Sequence, residues 1–109
     1  MSEKPWKRCE RAIAARLCGR RVPVTGRQRG DVPDVQHDAF AVEVKHRRHL
    51  PGWLREAVAQ ALAAQRDGQL PLVVLHEAGT RHADDLVCLR LGDFEDWHGR
   101  LHRPDGEAV

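Results

Sequence analysis

The chain has 109 residues, of which 41% are hydrophobic and 31% charged, and its formal net charge is +2. This length suits one domain with a modest core, and the composition is that of a globular protein. No run approaches the ~18 apolar residues that a membrane span requires, and the N-terminus has no apolar signal core. These features exclude a membrane-spanning protein and predict one that stays in the cytoplasm, or in the host cytoplasm if a phage encodes it.

The charge is distributed unevenly along the chain. Residues 1–30 hold nine Lys and Arg against two Glu, so residues 31–109 carry a net negative charge. A basic half next to clustered carboxylates is typical of a metal-dependent enzyme that acts on a polyanion. Ordinary solvated surface charge is the alternative.

Neither the cysteines nor the histidines predict a metal site. The three cysteines are odd in number and lack CxxC spacing, which indicates free thiols in a reducing compartment. The seven histidines are not spaced like those of an HNH or zinc site. His98 and His102 are a weak ligand pair in a predicted C-terminal tail.

Hydrophobic periodicity and turn residues predict helices at 6–18, 52–66 and 93–97, and strands at 20–24, 33–36, 39–45, 70–75 and 86–91. Gly19 is the expected stop of the first helix. The run LPLVVL at 70–75 is typical of a strand buried on both faces. The strand–helix–strand order predicts a parallel pair between 39–45 and 70–75 with a right-handed crossover. We therefore expect an α/β fold with a mixed central sheet flanked by helices, in one domain at 1–97, and a flexible tail at 98–109.

In the first predicted helix, a carboxylate lies within the apolar stripe. Trp6, Ile13 and Leu17 share one helical face, and Glu10 falls on the same face. A buried carboxylate is costly unless it is paired or binds a cation. Glu10 is therefore a candidate site residue. The alternatives are that Glu10 forms an ion pair with Arg20 or Arg21, or that it lies at the edge of the stripe and reaches solvent.

The loop TGRQRG at 25–30 combines two glycines with two arginines. Arg27 and Arg29 are candidate contacts to a phosphate backbone. Thr25 is a candidate hydrogen-bond donor near a site, although a simple turn residue is equally consistent with the sequence. The loop is not a nucleotide-binding P-loop, because it lacks the Lys-Ser/Thr ending.

The next two strands carry the main chemical signal. Side chains of a strand alternate between faces, so Glu43 and Lys45 share one face of the run FAVEVK at 40–45. They either form a surface ion pair worth under ~1 kcal/mol, or serve a site at the end of the strand. Asp34, on the preceding strand, would add a second carboxylate; Asp31 is another candidate for that position.

Two carboxylates and a lysine at a strand end predict a cation site that acts on phosphodiesters. Hard carboxylate oxygens suit Mg²⁺ or Mn²⁺, which also accept phosphate oxygens as ligands. Lys45 can orient or deprotonate a water, or stabilise a phosphate oxyanion. The basic segment His46, Arg47 and Arg48 would contact the DNA backbone beside the site.

The pattern Pro33-Asp34 … Glu43-Val44-Lys45, with Glu10 on the preceding helix, resembles the PD-(D/E)xK nuclease superfamily. Within it, the chain is similar to the small archaeal and phage Holliday junction resolvases over about residues 6–91. Those proteins also have a helix Glu, a basic Ser/Thr-Gly loop, an Asp strand, E-V-K, and then a helix and an apolar strand. Thr25 stands where a Ser is usual, and Asp34 follows proline as the motif requires.

The resemblance implies a restriction-endonuclease-like fold and Mg²⁺-dependent cleavage of four-way DNA junctions by a homodimer. It implies metal ligation by Asp34, Glu43 and Glu10, with Lys45 as a further catalytic residue. Some members of the superfamily carry a glutamine on the helix that follows the motif. Gln60 is the preferred match to it, and Gln65 is the alternative. Another PD-(D/E)xK enzyme (a nickase, a repair nuclease, or a restriction or phage nuclease) and a non-catalytic DNA-binding subunit remain as alternatives.

Overall fold

The computed structural model of the chain describes residues 3–22 and 33–101. The chain divides into two compact units, Met1–Arg48 and His49–Val109. The described residues form an α/β structure with three helices and two small antiparallel sheets. None of these helices has the length and apolar character that crossing a lipid bilayer requires.

The first unit contains one helix and a three-stranded antiparallel sheet. Helix α1 spans Pro5–Arg16, and the strands are β1 (Arg20–Arg21), β2 (Val35–Gln36) and β3 (Ala41–Val42), in the order β1-β2-β3. Helix α1 packs against β1 and β2. The predicted helix and strands are therefore present, although each strand is shorter than predicted.

The end of α1 depends on two neighbouring residues. Gly19 donates a backbone hydrogen bond to the carbonyl oxygen of Ala14 (2.8 Å), while Cys18 adopts the left-handed conformation with φ 59°. The sequence predicted that Gly19 stops the helix, but the structure requires a glycine there for another reason. An added Cβ would lie 2.5 Å from the carbonyl oxygen of Gln36 and 2.9 Å from Val35 Cγ1. Gly19 therefore allows β2 to approach the end of the helix.

The core of the first unit lies between α1 and β2. Val35 on the central strand is 0% exposed and Ala14 on the helix is 4% exposed. Glu10 is 7% exposed and belongs to the same buried layer. The Glu10 carboxylate thus occupies a core position, and its hydrogen-bond and ion-pair partners determine whether it is available to bind a cation.

The second unit contains helices α2 (Gly52–Ala64) and α3 (Leu91–Leu101) and strands β4 (Val73–Leu75) and β5 (Leu86–Cys88). The strands pair antiparallel, with Val73 opposite Cys88 and Leu75 opposite Leu86. Helix α2 contacts β4. None of the described side chains at 49–99 is fully buried, so this unit has a thin core.

The third helix is longer than the sequence predicted. The interpretation of 93–97 as a short helix missed the apolar spacing of Leu91 and Phe94, which lie one turn apart on the same helical face, so the helix begins before Asp93, at Leu91. Before it, Arg90 donates a 2.8 Å hydrogen bond to Asp93. This bond and the negative charge of Asp93 raise the pKa of Arg90. Residues 102–109 of the predicted tail lie outside the described residues.

The expectations of a parallel strand pair and a mixed sheet are not confirmed, because every pair among the described strands is antiparallel. Strand β4 pairs with β5, and both sheets are antiparallel. The chain reverses between 76 and 85, and closing so short a loop costs little entropy, which favours the pairing of β4 with β5. The interpretation of 70–75 as buried on both faces is wrong, because Leu72 and Val74 are 41% and 56% exposed. A two-stranded sheet that packs on a single helix leaves such positions in solvent.

Candidate functional site

A cleft in the first unit brings together the four predicted catalytic residues and two of the predicted DNA contacts. It has a volume of about 350 Å³ and is lined by Trp6 and Glu10 of α1, Asp34 before β2, and the run 43–47 after β3. The strand register explains the meeting: Val35 lies opposite Val42, so Asp34 and Glu43 are the next opposed positions. Helix α1 packs on the same sheet and contributes Glu10.

Asp34 is held in place from two sides. Its main-chain oxygen accepts a 2.9 Å hydrogen bond from the Val22 amide, and its Oδ2 accepts a 2.7 Å bond from the Val44 amide. The side chain is therefore oriented by the Glu-Val-Lys segment itself. A carboxylate fixed this way loses little conformational freedom when it binds a ligand. Among the predicted site residues, Asp34 has the best-defined geometry.

Glu43 and Lys45 share an exposed face, as the strand alternation predicted. Phe40, Val42 and Val44 are half-buried, whereas residues 41, 43 and 45 are exposed. Lys45 Nζ lies 3.1 Å from Glu43 Oε2, so the two side chains form an ion pair. The side chains are 64% and 58% exposed, where such a pair contributes about 0–1 kcal/mol. Opening it for a cation or a phosphate would therefore cost little.

Glu10 forms a much less exposed ion pair with Arg21. Arg21 Nε donates a 2.8 Å hydrogen bond to Glu10 Oε1, and the side chains are only 18% and 10% exposed. The Arg21 guanidinium carbon also lies 6.0 Å from the ring centroid of Trp6, which lines the cleft. The inward position of Glu10 is confirmed, and the structure selects Arg21 as its partner. Glu10 therefore needs no cation for charge balance.

The carboxylates of the cleft fit a magnesium ion in part. Mg²⁺ typically binds one or two carboxylates and completes its shell with water and substrate phosphate, which Asp34 and Glu43 can satisfy. Glu10 does not complete a three-carboxylate cluster. Among the described residues, three potential metal ligands lie within 4.8 Å of one another at His76, His82 and Asp85 in the second unit, and not in this cleft. The cleft thus offers two carboxylates for a cation, with Glu10 bound to Arg21.

The remaining predicted contacts are only partly described. His46 and Arg47 line the cleft, and Arg48 follows them as another exposed basic residue. Gln60 is exposed on α2 in the second unit, and its supporting role stays a prediction. The predicted positions that lie outside the described residues are Thr25, Arg27, Arg29 and Asp31.

Sequence reasoning missed one cluster of potential ligands and correctly interpreted the cysteines. His76, His82 and Asp85 meet in the β4–β5 connection, although the histidine spacing matched no zinc motif. The available signal was positional: His76 directly follows β4 and Asp85 directly precedes β5, so an antiparallel pair brings them together. Cys9, Cys18 and Cys88 are free thiols, as predicted.

Comparisons with protein-family models, with curated proteins and with solved structures found no match to this chain. The functional inference therefore depends on the residues of the cleft and on their geometry. The motif in the sequence supplies the chemical hypothesis, and the strand register supplies the proximity that such chemistry needs.

Proposed function

We propose that the chain is a Mg²⁺- or Mn²⁺-dependent endodeoxyribonuclease of the PD-(D/E)xK type that cuts four-way DNA junctions as a homodimer. The observation that carries the proposal is the cleft in which Glu10, Asp34, Glu43 and Lys45 converge beside His46–Arg47. Acidic ligands, one amine and adjacent cations are the groups that metal-assisted hydrolysis of a polyanion uses.

The order of elements in the chain also supports the proposal. A helix with Glu10 is followed by β1, the strand after Asp34, the strand before Glu43-Val44-Lys45, and then a helix and an apolar strand. This is the order of the resolvases that the sequence resembles. A restriction-endonuclease-like core is the fold that we propose on this basis. The antiparallel pairs of the described strands would be part of its mixed sheet, which also requires a parallel pair.

In this proposal Asp34 and Glu43 would hold the cation, and Glu10, which is paired with Arg21, would join them as a ligand only if that ion pair opened. A bound Mg²⁺ would supply Lewis-acid stabilisation of charge on the phosphate and a more acidic water. Lys45 orients or deprotonates that water, or stabilises the phosphate oxyanion. Because Asp34 is fixed by the Val44 amide, it would hold a bound cation in a defined place beside Lys45.

Basic side chains beside the cleft would hold the DNA backbone. His46 and Arg47 line the cleft, and Arg48 adjoins them. The resemblance adds the loop residues Thr25, Arg27 and Arg29. Contacts of this kind position the backbone without reading sequence, which suits an enzyme that recognises the shape of a junction.

The homodimer is supported by apolar surface on the second unit. Val74 and Val87 lie opposite each other on β4 and β5 and are each 56% exposed, and Leu72, two residues before Val74, is 41% exposed. Contiguous exposed apolar side chains are typical of interaction surfaces. A second copy is the occupant that the proposal requires, because a four-way junction needs two coordinated cuts.

A second candidate function is a DNA-binding subunit without catalysis. The ion pairs Glu10–Arg21 and Glu43–Lys45 favour it, since both acidic residues already have a cationic partner. In that case the same cleft would be a structural feature beside a basic DNA contact surface. A third possibility, a nuclease without junction preference, shares the cleft and differs only in substrate.

A cleavage assay with two DNA substrates tests the proposal. The full chain is incubated with a synthetic four-way junction and with a linear duplex of the same sequences, in Mg²⁺, in Mn²⁺ and in a chelator. We expect paired, symmetric nicks in the junction, little cutting of the duplex and none in the chelator. Equal cutting of both substrates would contradict the junction preference. Binding without cutting in either metal would favour the DNA-binding subunit, and neither binding nor cutting would refute the proposal.

A further inference from the structure

The connection between β4 and β5 gathers two imidazoles around one carboxylate. His76 Nδ1 lies 2.6 Å from Asp85 Oδ1, and His82 Nδ1 lies 3.0 Å from Asp85 Oδ2. The two ring centroids are 4.6 Å apart. The Asp85 side chain is 9% exposed, whereas those of His76 and His82 are 39% and 84% exposed. A nearly buried carboxylate thus faces two imidazoles that a solute can reach.

We propose that His76, His82 and Asp85 bind one Zn²⁺ ion, or a divalent transition metal of similar preference, with water as the fourth ligand. Imidazole nitrogen and carboxylate oxygen are ordinary zinc ligands, with bonds of about 2.0–2.2 Å that place neighbouring tetrahedral ligands ~3.3 Å apart. One ligand atom from each of the three side chains already lies within 4.8 Å of the others. Entry of the ion requires the nitrogen–oxygen distances to open by less than about one ångström.

The exposed histidines make this opening feasible. His82 is held by its hydrogen bond to Asp85 and by its contact with the His76 ring, and most of its surface is in solvent. A neutral imidazole can carry its proton on either ring nitrogen. Each ring can therefore present a lone pair from Nδ1, and the cation then replaces the protons that bridge the imidazoles to the carboxylate.

The ligand types determine which metal enters. Imidazole nitrogen suits zinc, copper, nickel and iron, whereas Mg²⁺ and Ca²⁺ prefer oxygen ligands. Among the described residues, the cleft of the first unit is lined by three carboxylates and one imidazole, His46, whereas the two-imidazole group whose ligand atoms lie close together is in the β4–β5 connection. This inference concerns residues 76–85 and does not depend on the nuclease proposal. Zinc binding in the connection and magnesium binding in the cleft can be measured separately.

The thin core of the second unit gives the ion a physical role. None of the described side chains at 49–99 is fully buried, and small cores often depend on a metal or another cross-link. His76 directly follows β4, Asp85 directly precedes β5, and His82 lies in the 3₁₀ turn His82–Asp84 between them. A shared ion would therefore tie the two strand ends together and stabilise the pairing of β4 with β5.

Calorimetric titration of the full chain, freed of metal with a chelator, tests the proposal. We expect one Zn²⁺ per chain, a rise in the thermal unfolding midpoint with Zn²⁺, and neither effect at this site with Mg²⁺. His82→Ala is the main variant, because an exposed side chain can be removed without disturbing packing. Removing a residue that only hydrogen-bonds to a metal ligand weakens metal binding about 10-fold or more. Removing the ligand His82 itself should weaken zinc binding at least as much. Asp85→Asn should do the same, and His49→Ala, exposed in the same unit, should bind zinc like the wild type.

Cobalt spectroscopy identifies the ligands independently of folding. Co²⁺ in the proposed site should give an absorption spectrum of nitrogen and oxygen ligation, without a thiolate-to-cobalt charge-transfer band, although the chain has three free cysteines. The proposal is overturned if no Zn²⁺ binds, if a thiolate band appears, or if His82→Ala and His49→Ala bind zinc equally. The first of these outcomes would mean that the cluster consists only of two histidines that are each hydrogen-bonded to Asp85.

Discussion

Two neighbouring residues at the end of α1 share a role that the sequence assigned to Gly19 alone. Cys18 takes the left-handed conformation that often falls to glycine, and Gly19 provides the space for β2. Propensity rules identify a glycine near a helix end as a stop. They cannot report a close approach to a strand sixteen residues further along, because that contact exists only after β1 and β2 pair.

Gly19→Ala should therefore destabilise the protein, by about 2 kcal/mol or more, because the new Cβ would overlap the Gln36 carbonyl oxygen. Cys18→Gly should be neutral or stabilising by up to about 1 kcal/mol, because it removes a side chain from a left-handed position. Urea denaturation gives both free energies of unfolding. Gly52→Ala is the matched control, since nothing lies within 4 Å of its added Cβ. Equal effects of Gly19→Ala and Gly52→Ala would contradict the packing argument.

At the scale of elements, the Glu10–Arg21 pair connects α1 to β1. The sequence predicted that Glu10 faces inward, because helical periodicity alone sets that orientation. It left the partner open between two adjacent arginines, because the choice depends on which face of β1 meets the helix. The observed pairing places Arg21 opposite Val35 on the inner side and leaves Arg20 exposed.

Arg21→Met should lower the free energy of unfolding by about 3 kcal/mol, because it leaves the Glu10 carboxylate buried without its counter-charge. Arg20→Met, one residue away and exposed, should change it by less than about 0.5 kcal/mol. The double variant Glu10→Leu with Arg21→Met should recover part of the loss, since no charge is then buried. Chemical denaturation of the four proteins checks this, and equal losses in Arg21→Met and Arg20→Met would contradict it.

The strand faces and the adjacency of β2 and β3 could be predicted from the sequence, but the partner of β4 could not. The alternation of Phe40, Val42 and Val44 against Glu43 and Lys45 follows from local backbone geometry, and the structure confirms it. The pairing of β4 with β5 depends on a polar connection at 76–85 that contains no short hairpin signal. For the same reason the meeting of two histidines with an aspartate in that connection was not foreseen.

At the scale of the whole molecule, the sequence predicted the residues of the motif better than it predicted the surroundings that would select a substrate. The acidic residues and the lysine that make up the motif were found from the sequence, and the register of β2 and β3 brings them to one cleft. The basic loop at 25–30 lies outside the described residues. The choice of branched DNA as substrate follows from the resemblance and from the need for two coordinated cuts.

The most direct test of the account is Mg²⁺-dependent nicking of a four-way junction by Asp34→Asn, with junction binding measured in parallel. The amide oxygen of asparagine can still accept the hydrogen bond from the Val44 amide, so the variant removes a charge and preserves the local structure. Asp38→Asn, an exposed change in the same unit, is the control. The account predicts that Asp34→Asn loses about 100-fold or more of the cleavage rate, keeps its affinity for the junction, and that Asp38→Asn cuts normally. Cleavage by Asp34→Asn at the wild-type rate, or loss of binding together with cleavage, would contradict it.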